Sequence, residues 1–468
     1  MRVARLALLA LPVLFISIAH SQAQEPNWSQ IEEETMRHFQ AILRLDTSNP
    51  PGNETLVVEY LKSVLDKEGI ENKVFANDPK RANLVARLRG NGKKRPVLIM
   101  GHTDVVTVDP TKWKYPPFSA TREGGYVYGR GATDDKDNVV ACLMVMLMLK
   151  RMNTPLDRDV IFLAEASEEG GGADGIGYMV REHFDEIDAE YCFAEGGGVV
   201  RTGGKIQYAA VATTEKISRG ARLVARGISG HGSVPLRSNA IVHLANAVAK
   251  VAAWRTPVRL NDTTRAYFER LAKLSPPDAA ARYQKLLRPG NSDDVQEYLA
   301  INEPRLNSTL RTSISPNIIK GGYRSNVIPS EAEATLDIRA LPDEDMAWFF
   351  DEMKKVIDDP AIEIVRGANS RPGSPPSRLD TEAFRALEEA NQRIYSTVTL
   401  PTMLTGATDM AQLRAKGVQC YGVGPMTDSE DGPKGFGAHS DQERLLEESI
   451  HKFVRFHLDI VLNLAKAR

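Results

Sequence analysis

Three apolar runs in the first half of this chain end directly in polar residues: Val97–Met100, Val160–Ala164 and Tyr191–Ala194. Helical patterns at Val139–Lys150 and Ile176–His183 separate them. Strands that are apolar along their whole length belong to sheets in which both faces are shielded from water. The alternation therefore predicts an α/β fold whose sheet is covered by helices on both sides.

The polar residues that follow these runs predict where a ligand binds. In open α/β sheets the binding crevice lies beyond the carboxyl ends of the strands. His102, the pair Glu168–Glu169 and Glu195 all emerge at such ends. We therefore expect these side chains to converge.

The second half of the chain has a different pattern. Here strands in which apolar and polar residues alternate are separated by helical segments. This pattern predicts a smaller α+β unit with helices on one face. The segments are Ser218–Arg226, Asn239–Trp254, Glu331–Leu341, Glu344–Ile357 and Ile362–Arg366. The predicted organisation is one domain made of residues 24–215 and 369–468, and an inserted domain of residues 216–368 with a helical insertion at about 257–315.

The N-terminus has the layout of a secretory signal peptide. Arg2 and Arg5 precede the apolar run Leu6–Ile18, and small residues follow as far as Ala23. The run is too short to favour a membrane span. We expect residues 1–23 to be removed and the mature chain, without a membrane anchor, to be exported to a bacterial periplasm or secreted.

Charge and cysteine content exclude two further classes. The formal net charge is -2, so the chain has no basic field that would attract nucleic acid. Its three cysteines, Cys142, Cys192 and Cys420, show no metal-thiolate spacing. Cys142 and Cys192 fall in apolar helix or strand patterns, so a disulfide framework is not expected even after export.

Histidines in loops are the first candidates for metal ligands. His102 leaves a strand end, and Asp104 stands two residues further on, which places both on the same side of the strand. Asp104 could accept a hydrogen bond from the ring nitrogen that does not bind metal, fixing the tautomer. A satisfied turn histidine is the commoner interpretation of this tripeptide in isolation.

Carboxylates near the same strand ends add to this pattern. Asp134 and Asp135 open a helix, where an acid commonly caps, but one of two adjacent acids could bridge two cations while the other caps. Glu168–Glu169 leave a buried strand for a glycine loop, and Glu195 repeats the arrangement. Burying such acids costs free energy unless positive charge lies opposite, which favours metal.

Motifs spread over nearly the whole mature chain occur in the order of one enzyme family. They are Gly101-His102-Thr103-Asp104-Val105-Val106, Tyr128-Gly129-Arg130-Gly131-Ala132-Thr133-Asp134-Asp135-Lys136, Glu168-Glu169-Gly170, Ala194-Glu195-Gly196, Gly230-His231-Gly232-Ser233, Asn326-Val327-Ile328-Pro329, Asp337-Ile338-Arg339, Gly406-Ala407-Thr408-Asp409 and His439. With them the chain resembles the dinuclear zinc aminoacylase/carboxypeptidase family, which includes carnosine dipeptidases and succinyl-diaminopimelate desuccinylase. The resemblance implies a zinc-peptidase-like catalytic domain with a mixed sheet covered by helices, plus an inserted α+β lid that mediates dimerisation.

The resemblance also implies roles for the clustered residues. Asp134 would bridge two divalent ions, with His102 and Glu195 completing one site and Glu169 and His439 the other. Oxygen and imidazole ligands suit zinc and are compatible with manganese or cobalt. Glu168 would act as general base and then acid, and Asp104 would orient His102.

Further implied roles fall on the lid and on one turn. His231 would reach the active site, often from the partner subunit of a homodimer, and stabilise the oxyanion; a local turn histidine is the alternative. Asn326 and Arg339 match the family's lid asparagine and arginine, and Arg339 could clamp a substrate carboxylate. Thr405 and Gly406 could offer backbone groups to the same end of the substrate.

Asp137-Asn138 stands where many family members have glycines. In this feature, and in its long insertion, the chain resembles the branch of carboxypeptidase S and N-acyl-amino-acid amidohydrolases more than other members of the family. The predicted function is hydrolysis of an amide or peptide bond next to a free carboxylate, in a small peptide or an N-acyl amino acid. Two alternatives stay open: a dipeptidase that requires a free substrate amine, and a non-catalytic binding protein on the same scaffold.

Overall fold

A computed structural model describes residues 26–288, 290, 292–367 and 371–467. The predicted signal peptide, residues 1–23, lies outside them. Within the described ranges, no helix combines the length and the apolar character that a membrane crossing requires.

The strands in chain order are β1 (Ser48–Asn49), β2 (Glu71–Ala76), β3 (Ala82–Leu88), β4 (Val97–His102), β5 (Val105–Val106), β6 (Thr121–Glu123), β7 (Tyr126–Tyr128), β8 (Val160–Glu165), β9 (Tyr191–Ala194), β10 (Gly198–Thr202), β11 (Lys205–Glu215), β12 (Ile217–Ser218), β13 (Ala221–Arg226), β14 (Gly230–His231), β15 (Ser313–Gly321), β16 (Val327–Ile328), β17 (Glu331–Ala340), β18 (Ile362–Arg366), β19 (Thr399–Leu404), β20 (Gln419–Gly422), β21 (Met426–Asp428) and β22 (Arg444–Leu446). The α-helices are α1 (Trp28–Leu43), α2 (Thr55–Lys67), α3 (Lys136–Arg151), α4 (Ile176–Glu182), α5 (Phe184–Ile187), α6 (Ala240–Ala253), α7 (Asp262–Leu274), α8 (Pro277–Leu286), α9 (Asp293–Asn302), α10 (Pro304–Thr309), α11 (Met346–Ile357), α12 (Glu382–Tyr395), α13 (Met410–Ala415) and α14 (Glu447–Ala465).

Ten strands form one mixed sheet in the order β2-β3-β8-β4-β9-β20-β11-β10-β21, with β19 paired to β11. Neighbouring strands from β8 to β20 are parallel. Along β4, Val97 and Ile99 pack into a core with α1, α3 and α14, whereas Leu98 and Met100 pack with α4 and α13 on the other face. The predicted α/β class, with a mixed sheet covered by helices, is confirmed.

A second sheet of five strands has the order β12-β17-β13-β18, with β15 paired to β17. Helices α6 and α11 share a core with these strands. We call this unit the lid. Helices α7 to α10 form a small core of their own, packed through α7 near β19. The helical insertion predicted at about 257–315 contains these helices, but its last residues already belong to β15.

Helix α1 begins before the first residues of its apolar period. An amphipathic period from Ile31 to Leu45 would favour Ser29 as the N-cap, but Ser29 lies inside α1. The cap is Asn27, whose side chain accepts a hydrogen bond from the backbone of Gln30. Asparagine and serine cap about equally well, so the apolar period alone does not decide between them.

Candidate metal centre

Two histidines from distant parts of the chain meet the two oxygens of one carboxylate. His102 Nε2 lies 3.0 Å from Asp134 Oδ1, and His439 Nε2 lies 3.0 Å from Asp134 Oδ2. Glu195 Oε2 is 4.0 Å from His102 Nε2, and Glu169 Oε1 is 2.9 Å from His439 Nε2. The structure brings all five predicted ligands together as two groups that share Asp134, and the ligand atoms within each group lie within 4.8 Å of one another.

The main sheet positions most of these side chains. His102 is the last residue of β4, and Glu195 directly follows β9, the parallel neighbour of β4. Glu169 lies in the turn after β8, where Ser167 has a φ of +69°. His439, in a loop, has a φ of +60°. Residues other than glycine rarely adopt this left-handed conformation, and those that do are concentrated at functional sites.

Asp104 ties His102 to the loop that carries both glutamates. Its carboxylate accepts hydrogen bonds from the backbone N–H groups of Glu168 and Glu169, both at 3.1 Å, and from the Asn49 amide at 2.7 Å. The sequence suggested that this carboxylate could accept from His102. His102 Nδ1 lies 3.0 Å from the backbone carbonyl of Asp104 and 3.4 Å from its carboxylate. A carbonyl can only accept, so Nδ1 carries the proton and Nε2 is free to bind metal.

Glu443 holds the loop that presents Asp134. It is completely buried. One of its oxygens accepts from the backbone of Thr133 at 2.7 Å, and the other accepts from the Arg130 guanidinium at 2.8 Å and from the backbone of Gly131 at 3.0 Å. Sequence reasoning missed this residue; the available signal was an acid close after His439 in an otherwise loop-like segment.

Asp135 stands at the first position before α3 but does not cap it, so the predicted capping role is wrong. Its carboxylate instead accepts from the backbone N–H of His102 at 3.1 Å and from the Asn138 amide. Burial raises the pKa of Asp135 to about 7. The residue therefore links the end of β4 to the start of α3 behind Asp134.

The charges in the cluster fit a cation site. Burial, and then the neighbouring charges of Glu168 and Asp134, raise the pKa of Glu195 well above its usual value. Hydrogen bonds with Asp134 and Glu169 raise the pKa of His439 to about 10. Both shifts express crowded negative charge, which divalent ions would neutralise. The donors are imidazole nitrogens and carboxylate oxygens, a set that suits zinc and is compatible with manganese or cobalt.

Glu168 lies beside these ligands, with 11% of its side chain exposed, and is paired with an arginine. Arg371 Nη2 donates to Glu168 Oε1 at 2.7 Å, and Arg371 Nη1 lies 3.3 Å from Asp409 Oδ1. Burial raises the pKa of Glu168, while the charges of His102 and Arg371 oppose this rise without cancelling it. Arg371 falls in a glycine- and proline-rich stretch with no helical or strand period, so the sequence gave no signal of this role.

The predicted lid residues do not reach the cluster. His231 and Asn326 lie at a small ribbon formed by β14 and β16, and both are exposed. Arg339, on β17, donates to Asp337 on the same strand at 2.9 Å. Within the described part of the chain, the hydrogen bond of His231 Nδ1 is with Ser233, at 2.7 Å. The roles of His231, Asn326 and Arg339 therefore stay predictions.

Thr405 and Gly406 lie in the bend that directly follows β19. A side chain added at Gly196 would come within 2.7 Å of Leu404, the last residue of β19. Because Gly196 follows Glu195, the bend lies beside the metal ligands. Gly406 faces open space, so its backbone can be approached.

The sequence profile described as "Peptidase family M20/M25/M40" matches residues 98–463. The chain belongs to this family. It is a metal-dependent hydrolase with the fold class and family that the motifs predict.

Individual relatives agree with this assignment. The chain is 28% identical over 385 residues to a probable carboxypeptidase S-like 2 of Dictyostelium discoideum, covering 80% of this chain and 72% of that protein. It is 28% identical over 380 residues to the N-fatty-acyl-amino acid synthase/hydrolase PM20D1 of Xenopus tropicalis, covering 79% and 72%. The fold is similar to that of the M20 metallo-carboxypeptidase Sso-CP2 of Sulfolobus solfataricus, with a TM-score of 0.69, 21% identity and coverage of 92% and 99%.

Proposed function

We propose that this chain hydrolyses the amide bond of an N-acyl amino acid or small peptide next to a free carboxylate. The observation that carries the proposal is that both oxygens of Asp134 face a histidine, with the mostly buried side chain of Glu168 alongside. The names of the relatives, one carboxypeptidase-like and one acting on N-acyl amino acids, support the same substrate class.

In this proposal His102, Asp134, Glu169, Glu195 and His439 would hold two divalent ions, most simply zinc. When bound, such ions would supply Lewis acidity for attack of water on the scissile carbonyl. Glu168 accepts one proton from the attacking water and passes it to the leaving nitrogen as the carbon–nitrogen bond breaks. The products are a carboxylic acid and an amino acid or shorter peptide.

The protein prepares for the proton transfer in two ways. The backbone N–H of Glu168 donates to Asp104, which holds the backbone of Glu168 in place, and the ion pair with Arg371 holds its carboxylate. A raised pKa brings Glu168 nearer to the working pH, where a group can both accept and release a proton.

A homodimer formed through the lid belongs to the same proposal. Strand β15 pairs with β17 in the described sheet and carries Ile318 and Ile319, which are 51% and 63% exposed. Tyr323, just beyond it, is 84% exposed. Exposed apolar residues on a sheet edge favour association with a second copy. Light scattering of the purified protein tests this: a monomer at micromolar concentration would contradict it.

Export to a bacterial periplasm, or secretion, completes the proposal and rests on the leader at residues 1–23. Deleting residues 1–23 should leave the protein inside the producing cell, which fractionation and immunoblotting would detect. Unchanged distribution without the leader would contradict export by this segment.

The decisive assay compares a dipeptide with its N-acetylated form, using protein reconstituted separately with zinc, manganese and cobalt. We expect the N-acetylated substrate to be hydrolysed at least as well. Hydrolysis of the free dipeptide alone would identify a dipeptidase that requires a substrate amine. No turnover of any N-acyl amino acid or peptide, with both metal sites filled, would indicate a binding protein.

A further inference from the structure

The helices of the insertion and the main sheet enclose a cavity of about 540 Å³. Its walls come from β10, β11 and β19 on one side and from α7, α8 and α10 on the other. This volume lies within the range of about 300–1,000 Å³ that is usual for small-molecule sites. We call it the insertion cavity.

The insertion cavity begins beside the metal ligands. Gly196, which follows Glu195, and Leu404, which precedes the Thr405–Gly406 bend, both line it. Both residues belong to the sheet side of the cavity, and they lie close together, since a side chain at Gly196 would come within 2.7 Å of Leu404. Because Gly196 lines the cavity directly next to Glu195, the acyl tail of a substrate whose amide lies at Glu195 can extend into the cavity between sheet and insertion.

Strand β11 shows how the sequence builds this wall. Ala209 and Val211 point into the main core, whereas Tyr208 and Ala210 line the cavity. Successive side chains of a strand point to opposite faces, so one strand serves both surfaces. The small side chain of Ala210 leaves room at the middle of the wall.

The lining is mostly uncharged. Leu271, Leu306 and Met403 contribute apolar surface, together with tyrosine rings. The charged lining residues are Glu303 and Arg305, at the start of α10; Glu303 accepts from Tyr283 at 2.7 Å, and Arg305 is exposed. Moving a free amine into such a place without a partner would cost free energy, whereas an apolar chain gains by leaving water.

We propose that the insertion cavity binds the acyl chain of a medium- or long-chain N-acyl amino acid. This inference rests on the proposed function and assigns a role to the insertion. The metal centre alone would not select for chain length, because under the proposed function its ligands act at the reacting amide. Chain-length preference would come from helices α7 to α10.

The test uses leucine acylated with acetyl, octanoyl or dodecanoyl groups and the metal-loaded full chain. Each buried methylene should raise kcat/KM by up to about fourfold, until the cavity is filled. Ala210→Phe, which inserts a ring into the cavity, should lower the octanoyl-to-acetyl ratio of kcat/KM by about tenfold or more, the equivalent of about two methylenes. Ala300→Phe is the matched control, because Ala300 is exposed on α9 of the same insertion, and it should keep the wild-type ratio.

A failure of the inference and a failure of the proposed function give different results. Hydrolysis of acetyl-leucine with no gain for longer chains, or an unchanged ratio in Ala210→Phe, overturns the acyl site and leaves the amidohydrolase intact. No hydrolysis at any length overturns the proposed function. Leu271→Trp, from the opposite wall, repeats the ratio test if Ala210→Phe folds poorly.

Calorimetry with decanoate and metal-free protein measures the acyl site without catalysis. We expect binding to the wild type and to Ala300→Phe, with a negative heat-capacity change that marks apolar burial. Ala210→Phe should bind at least about tenfold more weakly, for the same area-based reason. Equal binding by all three proteins, or none, overturns the acyl site.

Discussion

The metal centre and the lid ribbon that carries His231 are built in opposite ways. Around the metal ligands, Asp104 and Glu443 are completely buried and accept hydrogen bonds from backbone N–H groups of neighbouring loops. His231 is exposed, and its ring bonds to Ser233, only two residues away. The carboxylates of the first region bond residues 64 and 310 positions away. In the ribbon, by contrast, β14 and β16 are joined through their backbones, and the described hydrogen bond of the His231 ring stays within its own turn.

This difference indicates that one chain assembles the metal centre by itself, whereas nothing in the described part of the chain ties the ring of His231 to that centre. Ligands must be held to within a fraction of an ångström before a metal arrives, and supporting hydrogen bonds achieve this. A residue that acts only after closure, or from a second subunit, is exposed until then. Five predictions test this contrast, from the largest expected effect to the smallest.

Glu168→Gln should abolish most turnover without emptying the metal centre. Glutamine can still accept from Arg371 but cannot take a proton, and a positioned general base contributes about 10²- to 10⁴-fold. We expect kcat to fall by that factor on acetyl-leucine while elemental analysis finds wild-type metal content. Glu182→Gln, on the exposed end of α4, is the matched control. Near-normal turnover by Glu168→Gln would remove the residue from the chemistry.

His231→Ala should lower kcat much more than it changes KM. Loss of one oxyanion donor costs about 10²- to 10³-fold in kcat. Metal content should stay normal, because His231 does not contact the ligands. His243→Ala is the control, since His243 lies in the same lid but pairs with Asp359. An unchanged kcat in His231→Ala would mean that the metal centre is sufficient for turnover without His231, and the contrast between the two regions would have no catalytic meaning.

Mixing the two inactive variants shows which subunit supplies His231. If His231 acts across a symmetric dimer, subunit exchange between Glu168→Gln and His231→Ala restores about a quarter of wild-type activity, because half the dimers are mixed and each has one complete site. If His231 acts within its own chain, no activity returns. Persistent inactivity after verified exchange would therefore contradict the contribution from a partner subunit.

Glu443→Gln should weaken metal binding rather than catalysis by a loaded site. Its carboxylate joins Arg130 to the loop that presents Asp134, and loss of such a supporting partner typically costs about 10- to 100-fold in metal affinity. Chelator competition measures the change. Glu448→Gln, at an exposed position paired with Lys452, should bind metal as the wild type does. An equal loss of metal affinity in His231→Ala would contradict the separation of the two regions.

The sequence predicted the site residues that lie at the ends of strands better than the residues that hold those site residues in place. Apolar runs located β4, β8 and β9, and therefore where His102, Glu168 and Glu195 emerge, because burial on both faces has an unmistakable pattern. Glu443 and Arg371 gave no such signal. Each acts through a partner about 200 or 300 residues away, and no local period encodes such a contact.

Strand β15 shows a second limit of the sequence pattern. Its first residues, 313–315, fall within the helical insertion predicted at about 257–315, and Pro316 follows them directly. The structure places this proline where the pairing with β17 shifts register. Proline is tolerated at such irregularities and at sheet edges, so its presence weakens a strand prediction without excluding the strand.

The smallest predicted effect tests whether the core behind the metal centre excludes water. His457, on α14, is completely buried, and its ring packs 4.5 Å from that of Phe453. Burial lowers its pKa to about 3, so the unfolded chain binds the proton near its ordinary pKa of about 6.5 while the folded chain does not. Stability should therefore fall as the pH drops from about 6.5 towards 3, by about 2 kcal/mol from this group at pH 5.

His457→Leu removes this contribution. Urea unfolding measures the free energy of unfolding of the metal-free proteins, and its change between pH 7.5 and pH 5 should differ between wild type and variant by that amount. If the unfolding free energies of wild type and variant changed with pH in the same way, water would reach His457. The core behind the metal centre would then not exclude water, and the contrast with the lid would be weaker.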